Sequence, residues 1–423
     1  VGLKSTVRLT ERLPSLRHRH FRNWIIGSFI SNLGGQLQTW GMFWHLDHLT
    51  HNPWAVGLVG VIRVVPLLSL GLFGGVMADQ RDRRSLLLVT QSGMASTAVL
   101  LALLTSTGHI TPNVIYLLVA LEAVARAYNG PVRQAMIANL VPPEHFPNAA
   151  SINGIQWRLS DILGPAIAGL LIGQFGPNLG LTLCYGLNAL SFLAMIAAVI
   201  KLPKFPPLTN RSKSPREVVD SIKEGFTFLR QAPVIANAMW IDFWGTFLAG
   251  GQALLPAFVR ADLKLGPHWY GMLASAAGVG AMVASLVLAL IPTIRRQGLW
   301  VIGMIGMFGL CTLLFGLSHN FWMAAACYAG VGASDMISTV LRQTIRQLAI
   351  PDNLRGRLSA IGMIFQISGP QLGDAEAAYL AERTTVRFSL IVGGVGALAV
   401  AAWYRFRRTA LRDYEHTHET PKA

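Results

Sequence analysis

Gly74-Gly75-Val76-Met77-Ala78-Asp79-Gln80-Arg81-Asp82-Arg83-Arg84 is the stretch whose reading decides the fold. It closes one apolar run (54–78) and opens onto another (85–106), and its last six residues hold two acids and three arginines. A helix needs about 20 mostly apolar residues to cross hydrocarbon. Both flanking runs reach that length, so the charged break marks one face of a bilayer.

The rest of the chain has the same texture. Of 423 residues, 52% are hydrophobic and 13% charged, and the mean hydropathy is +0.46. Soluble domains carry about 25% charged residues. These values exclude an ordinary cytosolic enzyme, a disordered protein and a nucleic-acid binder. Cys184, Cys311 and Cys327 lie in apolar stretches without a CxxC, which points to neither a disulfide framework nor a metal site. No cofactor motif appears either: G-x-x-x-x-G-K-[ST], HExxH and G-x-S-x-G are all absent from the sequence. Energy for any transport must then come from an ion gradient, or transport is passive.

Apolar runs separated by turn-rich breaks give twelve expected spans: 22–46, 54–78, 85–106, 113–140, 148–174, 179–201, 233–259, 268–292, 298–317, 320–348, 357–381 and 385–405. With adjoining helix ends, 28 of the 35 basic residues fall on one side. Four (Arg260, Lys264, Arg383, Arg387) fall on the other, and Arg63, Arg126 and Arg158 fall inside spans. The positive-inside rule puts both termini in the cytoplasm, and the net charge of +15 is mostly this signal. The lipid bilayer is the partner of that charge, not nucleic acid.

The organisation expected is a tail (1–21), a six-helix bundle (22–201), a linker (202–232), a second six-helix bundle (233–405) and a tail (406–423), in an all-α membrane fold. In the linker, Ser214-Pro215-Arg216-Glu217 has the form of a capping box with Pro at N1. Val218, Ile222, Phe226 and Leu229 follow at helical spacing, which predicts an amphipathic helix on the inner surface. At an offset of 209, Arg133-Gln134 meets Arg342-Gln343, Pro142 meets Pro351 and Gly164 meets Gly373, as duplication of a six-helix unit requires.

The opening stretch resembles the G-x-x-x-D-R-x-G-R-R/K signature of the major facilitator superfamily. Gly75, Asp79, Arg83 and Arg84 match, whereas Gln80 and Asp82 stand where Arg and Gly are usual. Arg126-Ala127-Tyr128-Asn129-Gly130 is similar to the R-x-x-Q-G motif of proton-coupled members. Gly164-Pro165-Ala166-Ile167-Ala168-Gly169 is a partial likeness of the antiporter motif of drug exporters. His51 to Gly57, Pro351 to Arg357 and Gly369 to Asp374 look like a bacterial group of siderophore and drug exporters. The resemblance covers about residues 20–405. It implies two pseudo-symmetric six-helix bundles, an inner-membrane location, and a cavity lined by spans 1, 4, 7 and 10. It also implies a cytoplasmic gate made by Gly75, Asp79, Arg83, Arg84 and Arg133 that holds the outward-open state.

Charges in a bilayer cost about 2.5–3.5 kcal/mol each on insertion scales, so those kept there are candidates for function. Six acids lie at apparent membrane depth: Glu122, Asp161, Asp242, Asp335, Asp374 and Glu376. With Arg63, Arg126 and Arg158 they net −3 when fully ionised, a balance that favours cations or bound protons. Asp335 is the leading candidate for proton coupling, because the 209 offset sets it opposite Arg126. The two could exchange an ion pair for a proton or form a fixed structural pair. Asp242 is second, and Trp240, Phe243 and Trp244 beside it could form an aromatic substrate wall or pack toward lipid. Glu122 with Arg126, and Arg158 with Asp161, are at pairing distances along their helices. Asp374 and Glu376 are expected near the outer end of span 11, partly solvated. Gly164, Pro165 and Gly169 are expected to kink span 5 and admit span 8 closely. His45, His48 and His51 flank Asp47 at the first outer turn, where they could titrate, bind a metal or be solvated.

The reading is a monomeric secondary transporter that exchanges protons for a small amphiphilic molecule, by alternating access between two halves. Import by proton symport is the rival within transport. An intramembrane transferase would need a donor site that only the 45–51 cluster approaches, and a receptor would need a soluble domain that no loop is long enough to hold.

Overall fold

The computed structural model describes residues 13–203, 223–224, 227–291, 294–350 and 355–415. Side chains at 72–80, 134–135, 355–357 and 359–360 lie outside that description. The long helices are α1 (Arg19–Thr50), α2 (Pro53–Gln80), α3 (Arg83–Ser106) and α4 (Pro112–Leu140). Phe146–Ile200 is divided at Gly176 into α5 (146–175) and α6 (177–200). Then follow α7 (Pro233–Leu248), α8 (Pro267–Leu290), α9 (Gln297–Leu317), α10 (Phe321–Ala349), α11 (Arg355–Arg383) and α12 (Val386–Phe406).

Local chemistry sets several of these boundaries. Asp82 caps α3 by accepting the backbone N–H groups of Arg84 and Ser85, so the acid that departs from the signature has a structural task. Thr111, Asn320 and Thr385 cap α4, α10 and α12 in the same way. Gly176 has φ 78°, a left-handed conformation that glycine adopts without penalty, and it turns α5 into α6 with no intervening loop.

Among the described residues, seven helical segments are long and apolar enough to cross a membrane, with α5 and α6 counted together as one continuous stretch. The long elements outside that set are α1, α4, α7 and α11. Three of them carry the polar groups of the interior, such as Gln38, Glu122 and Asp374. The fourth, α7, is interrupted. The expected single span over 233–259 stops at Leu248 and resumes as short turns, Gln252–Leu254 and Leu255–Ala257, then a π-helix, Phe258–Asp262. The break falls at Gly250 and Gly251, where α11 comes so close that a Cβ on Gly250 would lie 2.7 Å from the Asp374 amide nitrogen.

The helices form two bundles, with α1–α6 in one and α7–α12 in the other. They meet along α5 against α8 and along α2 against α11. One apolar core crosses both, joining Leu37, Trp44 and Leu46 of α1 to Leu254, Phe258, Tyr270 and Leu390. At the end carrying the chain termini, the described cores are separate. Phe21, Trp24 and Leu202 belong to one, and Ile241, Ile305 and Leu411 to another. The molecule is thus sealed at the end opposite the termini. Leu229, from the linker stretch, is buried with Ile235, Met239 and Leu358; Val218, Ile222 and Phe226 lie outside the described residues.

A polar cavity between the two halves

A cavity of about 280 Å³ opens between the bundles. Gln36, Arg158 and Asp161 line it from the first half, and Asp335, Asp374 and Gln252 from the second. Trp40, Phe315 and Tyr328 form part of its wall. Asp161 receives a 2.5 Å hydrogen bond from Gln36 and stands 3.7 Å from Arg158. Both members of this i,i+3 pair are about one-third exposed, so they face the cavity together and do not bury one another.

Glu122 is buried and accepts two hydrogen bonds from Arg126, at 3.1 and 2.5 Å, and one from Gln38 at 2.9 Å. Gln38 in turn accepts from Asn188, whose carbonyl oxygen accepts from Ser191. Arg126 is therefore committed to Glu122 in this conformation, and the pairing with Asp335 considered from the 209 offset is not the one seen. Arg63 donates to Thr39 at 3.2 Å.

Asp242 pairs with Arg342 at 2.7 Å, and both are buried. Arg342 also donates to Ser338 and Thr339 at 2.7 and 2.9 Å, while Arg346 lines the same small recess. Position in the sequence had assigned these two arginines to the cytoplasmic helix end. Adding them to the nine ionisable residues counted at apparent membrane depth moves that sum from −3 to −1, which weakens the expected preference for cations.

Of the two readings of the aromatics beside Asp242, the helix geometry favours packing away from the carboxylate. Residues two positions apart on a helix lie about 200° apart, because 3.6 residues make a turn. Trp240 and Trp244 therefore point away from the face that carries Asp242, and they are 44% and 43% exposed. Phe243 packs on Phe365 of α11.

Asp374 is not partly solvated. Its buried carboxylate accepts the backbone N–H of Gln252 at 2.9 Å and of Ala253 at 3.4 Å, capping the half-helix after the glycine break. Glu376 is half-buried. Gly164 abuts Gln36, and a Cβ on Gly169 would lie 2.6 Å from both the Gly271 Cα and the Pro267 carbonyl oxygen. The Ser275 hydroxyl bridges this seam by donating to the Ile162 carbonyl at 2.7 Å. Of the signature residues, Arg83 is buried and Arg84 and Arg133 are half-buried; the side chains of Gly75 and Asp79 lie outside the description.

One ion pair between the halves escaped sequence reasoning. Asp47, treated as part of an outer turn, is buried on α1 and accepts a two-pronged hydrogen bond from Arg260 at 2.7 and 3.0 Å. Its neighbour His45 is hydrogen-bonded to Tyr185 at 3.0 Å. The signal available was an acid at the end of span 1 and, 213 residues on, one of the three arginines on the outer side.

Two helix bundles around a shared polar cavity, sealed at one end, define a membrane transporter. The chain belongs to the transmembrane secretion effector family of the major facilitator superfamily, whose profile matches residues 10–423. It is 25% identical over 402 residues to the enterobactin exporter EntS of Escherichia coli K12, covering 95% of this chain and 94% of that protein. Solved structures share the fold. The nucleoside transporter NupG has a TM-score of 0.70 at 12% identity, over 94% of this chain and 100% of the other. A bacterial homologue of the iron transporter ferroportin, in an inward-facing state, has a TM-score of 0.66 at 15% identity, over 92% and 99%. The family and these relatives are transporters, not enzymes.

Proposed function

We propose that the protein is a proton-driven exporter of a small amphiphilic molecule of the siderophore or drug kind, working in a bacterial inner membrane with both termini in the cytoplasm. The observation that carries this reading is the cavity in which Asp335 of one bundle and the Arg158–Asp161 pair of the other line a common space. A carboxyl that reaches water from opposite sides in turn can load a proton on one side and release it on the other. The similarity to an enterobactin exporter supports the outward direction. On this orientation the conformation described is closed to the periplasm. The bundles 22–201 and 233–405 would rock as units joined by 202–232, the protein acting as a monomer, with Arg83, Arg84 and Arg133 in the cytoplasmic gate together with Gly75 and Asp79.

The test is uptake of a fluorescent siderophore or drug into inverted vesicles under an imposed pH gradient, acid inside. Wild-type protein is expected to accumulate the compound, and Asp335→Asn to lose gradient-driven accumulation while remaining folded. Accumulation by right-side-out vesicles instead would establish import by symport. Unchanged transport in Asp335→Asn would remove that residue from coupling.

A further inference from the structure

Opposite the termini the bundles are held by more than apolar contact. Asp47, on α1, is 1% exposed, and Arg260, on the π-helix after α7, is 33% exposed. The two side chains meet across the boundary between halves in a bidentate geometry. Two residues beyond Arg260, Asp262 accepts a 2.8 Å hydrogen bond from Arg387 of α12, whose guanidinium lies over the Phe258 ring. The π-helix is thus fixed to its own bundle by Asp262 and to the other bundle by Arg260. Trp44 packs against Tyr270 alongside at a tilt of 38°, and the Tyr270 hydroxyl donates to the Trp40 carbonyl at 2.9 Å. Asn52 donates to Glu382 at 2.7 Å further out.

We infer that Asp47 and Arg260 form the latch of the outer gate, a charge pair that must part each time the transporter opens away from its termini. This rests on the alternating-access reading above. A buried carboxylate that loses its only cation is strongly penalised where water is excluded. It is relieved where water enters. The pair therefore favours the sealed state when intact. Removing only the arginine does the reverse: the sealed state then holds an unpaired carboxylate that opening would hydrate. Removing only the acid is milder, because Arg260 is one-third exposed and can turn to solvent. Neutralising both removes the penalty along with the attraction.

The ranking gives the test. In a background lacking Cys184, Cys311 and Cys327, a cysteine replaces Ala257, which is 2% exposed in the sealed core. Its labelling by a membrane-impermeant maleimide is timed in right-side-out and in inverted vesicles. Arg260→Gln is expected to accelerate labelling from the periplasmic side at least about tenfold over the parent. Asp47→Asn should accelerate it less, Arg260→Lys should remain near the parent, and Asp47→Asn with Arg260→Gln should fall back toward it. Equal labelling in Arg260→Gln and the parent overturns the latch, as does a double variant as fast as Arg260→Gln alone. Should Arg260→Gln fail to fold, parent-like labelling of Asp47→Asn overturns it. Acceleration confined to inverted vesicles keeps the latch and rejects the orientation. The readout needs no substrate, so a failed transport assay leaves its outcome independent.

Discussion

Replacing either member of the Asp242–Arg342 pair should destabilise the second bundle, and replacing both should destabilise it less. Asp242 is buried, and its described ion pair is with Arg342. Breaking a buried pair by removing one member costs about 3–5 kcal/mol. Arg346 borders the same recess and can lend some charge, which places the cost toward the lower end. In a bundle of about 200 residues, ~1 kcal/mol moves Tm by roughly 2–4 °C, so Arg342→Met should melt roughly 6–12 °C below the parent. Asp242→Asn leaves Arg342 with its bonds to Ser338 and Thr339 but strands its buried, permanent charge beside Arg346, and should cost a comparable amount, about 3–5 kcal/mol. The double variant Asp242→Asn with Arg342→Met should regain at least half of the loss, because no uncompensated charge remains. Thermal unfolding in detergent, followed by intrinsic fluorescence, reads all three. If Arg342→Met melts with the parent, or the double variant melts no higher than Arg342→Met, the pair does not carry the burden assigned to it.

Three further substitutions have expected outcomes. Gly169→Ala should cost about 1–3 kcal/mol of stability and slow transport, since its new methyl would strike backbone of α8 at 2.6 Å. Gly173→Ala, one turn on and 3.4 Å from His268, should behave as the parent in the same melting and transport assays. Asp374→Ala should speed hydrogen exchange at the Gln252 and Ala253 amides by roughly 5–30-fold, the equivalent of a helix cap of about 1–2 kcal/mol. Exchange at the parent's rate would show that the carboxylate does not hold this half-helix.

Much of the architecture is legible in the sequence, because hydrocarbon imposes a length on each helix and charge marks its ends. The repeat linking Arg133 to Arg342 and the signature around Asp79 also lead to the right superfamily. Depth and direction are harder to read. Arg342 counts as a helix-end cation until the fold tucks it against Asp242. Trp240 and Trp244 sit beside Asp242 in the chain but across the helix from it. The interruption of α7 was hidden because Gly250 and Gly251 read as two more small residues in an apolar run. Asp47 and Arg260 were each visible, yet their meeting depends on how two distant helices close, which no local pattern encodes.

The seam between α5 and α8 bears on how freely the bundles turn. Where Gly169 meets Gly271, main chain touches main chain. That one contact has no rotamers to freeze or release, and the Ser275 hydroxyl bond to the Ile162 carbonyl is the polar tie beside it. In the rocking motion proposed above, the resistance to each swing would then reside largely at the two ends, in the groups that must separate there, with the Gly169–Gly271 contact as the axle.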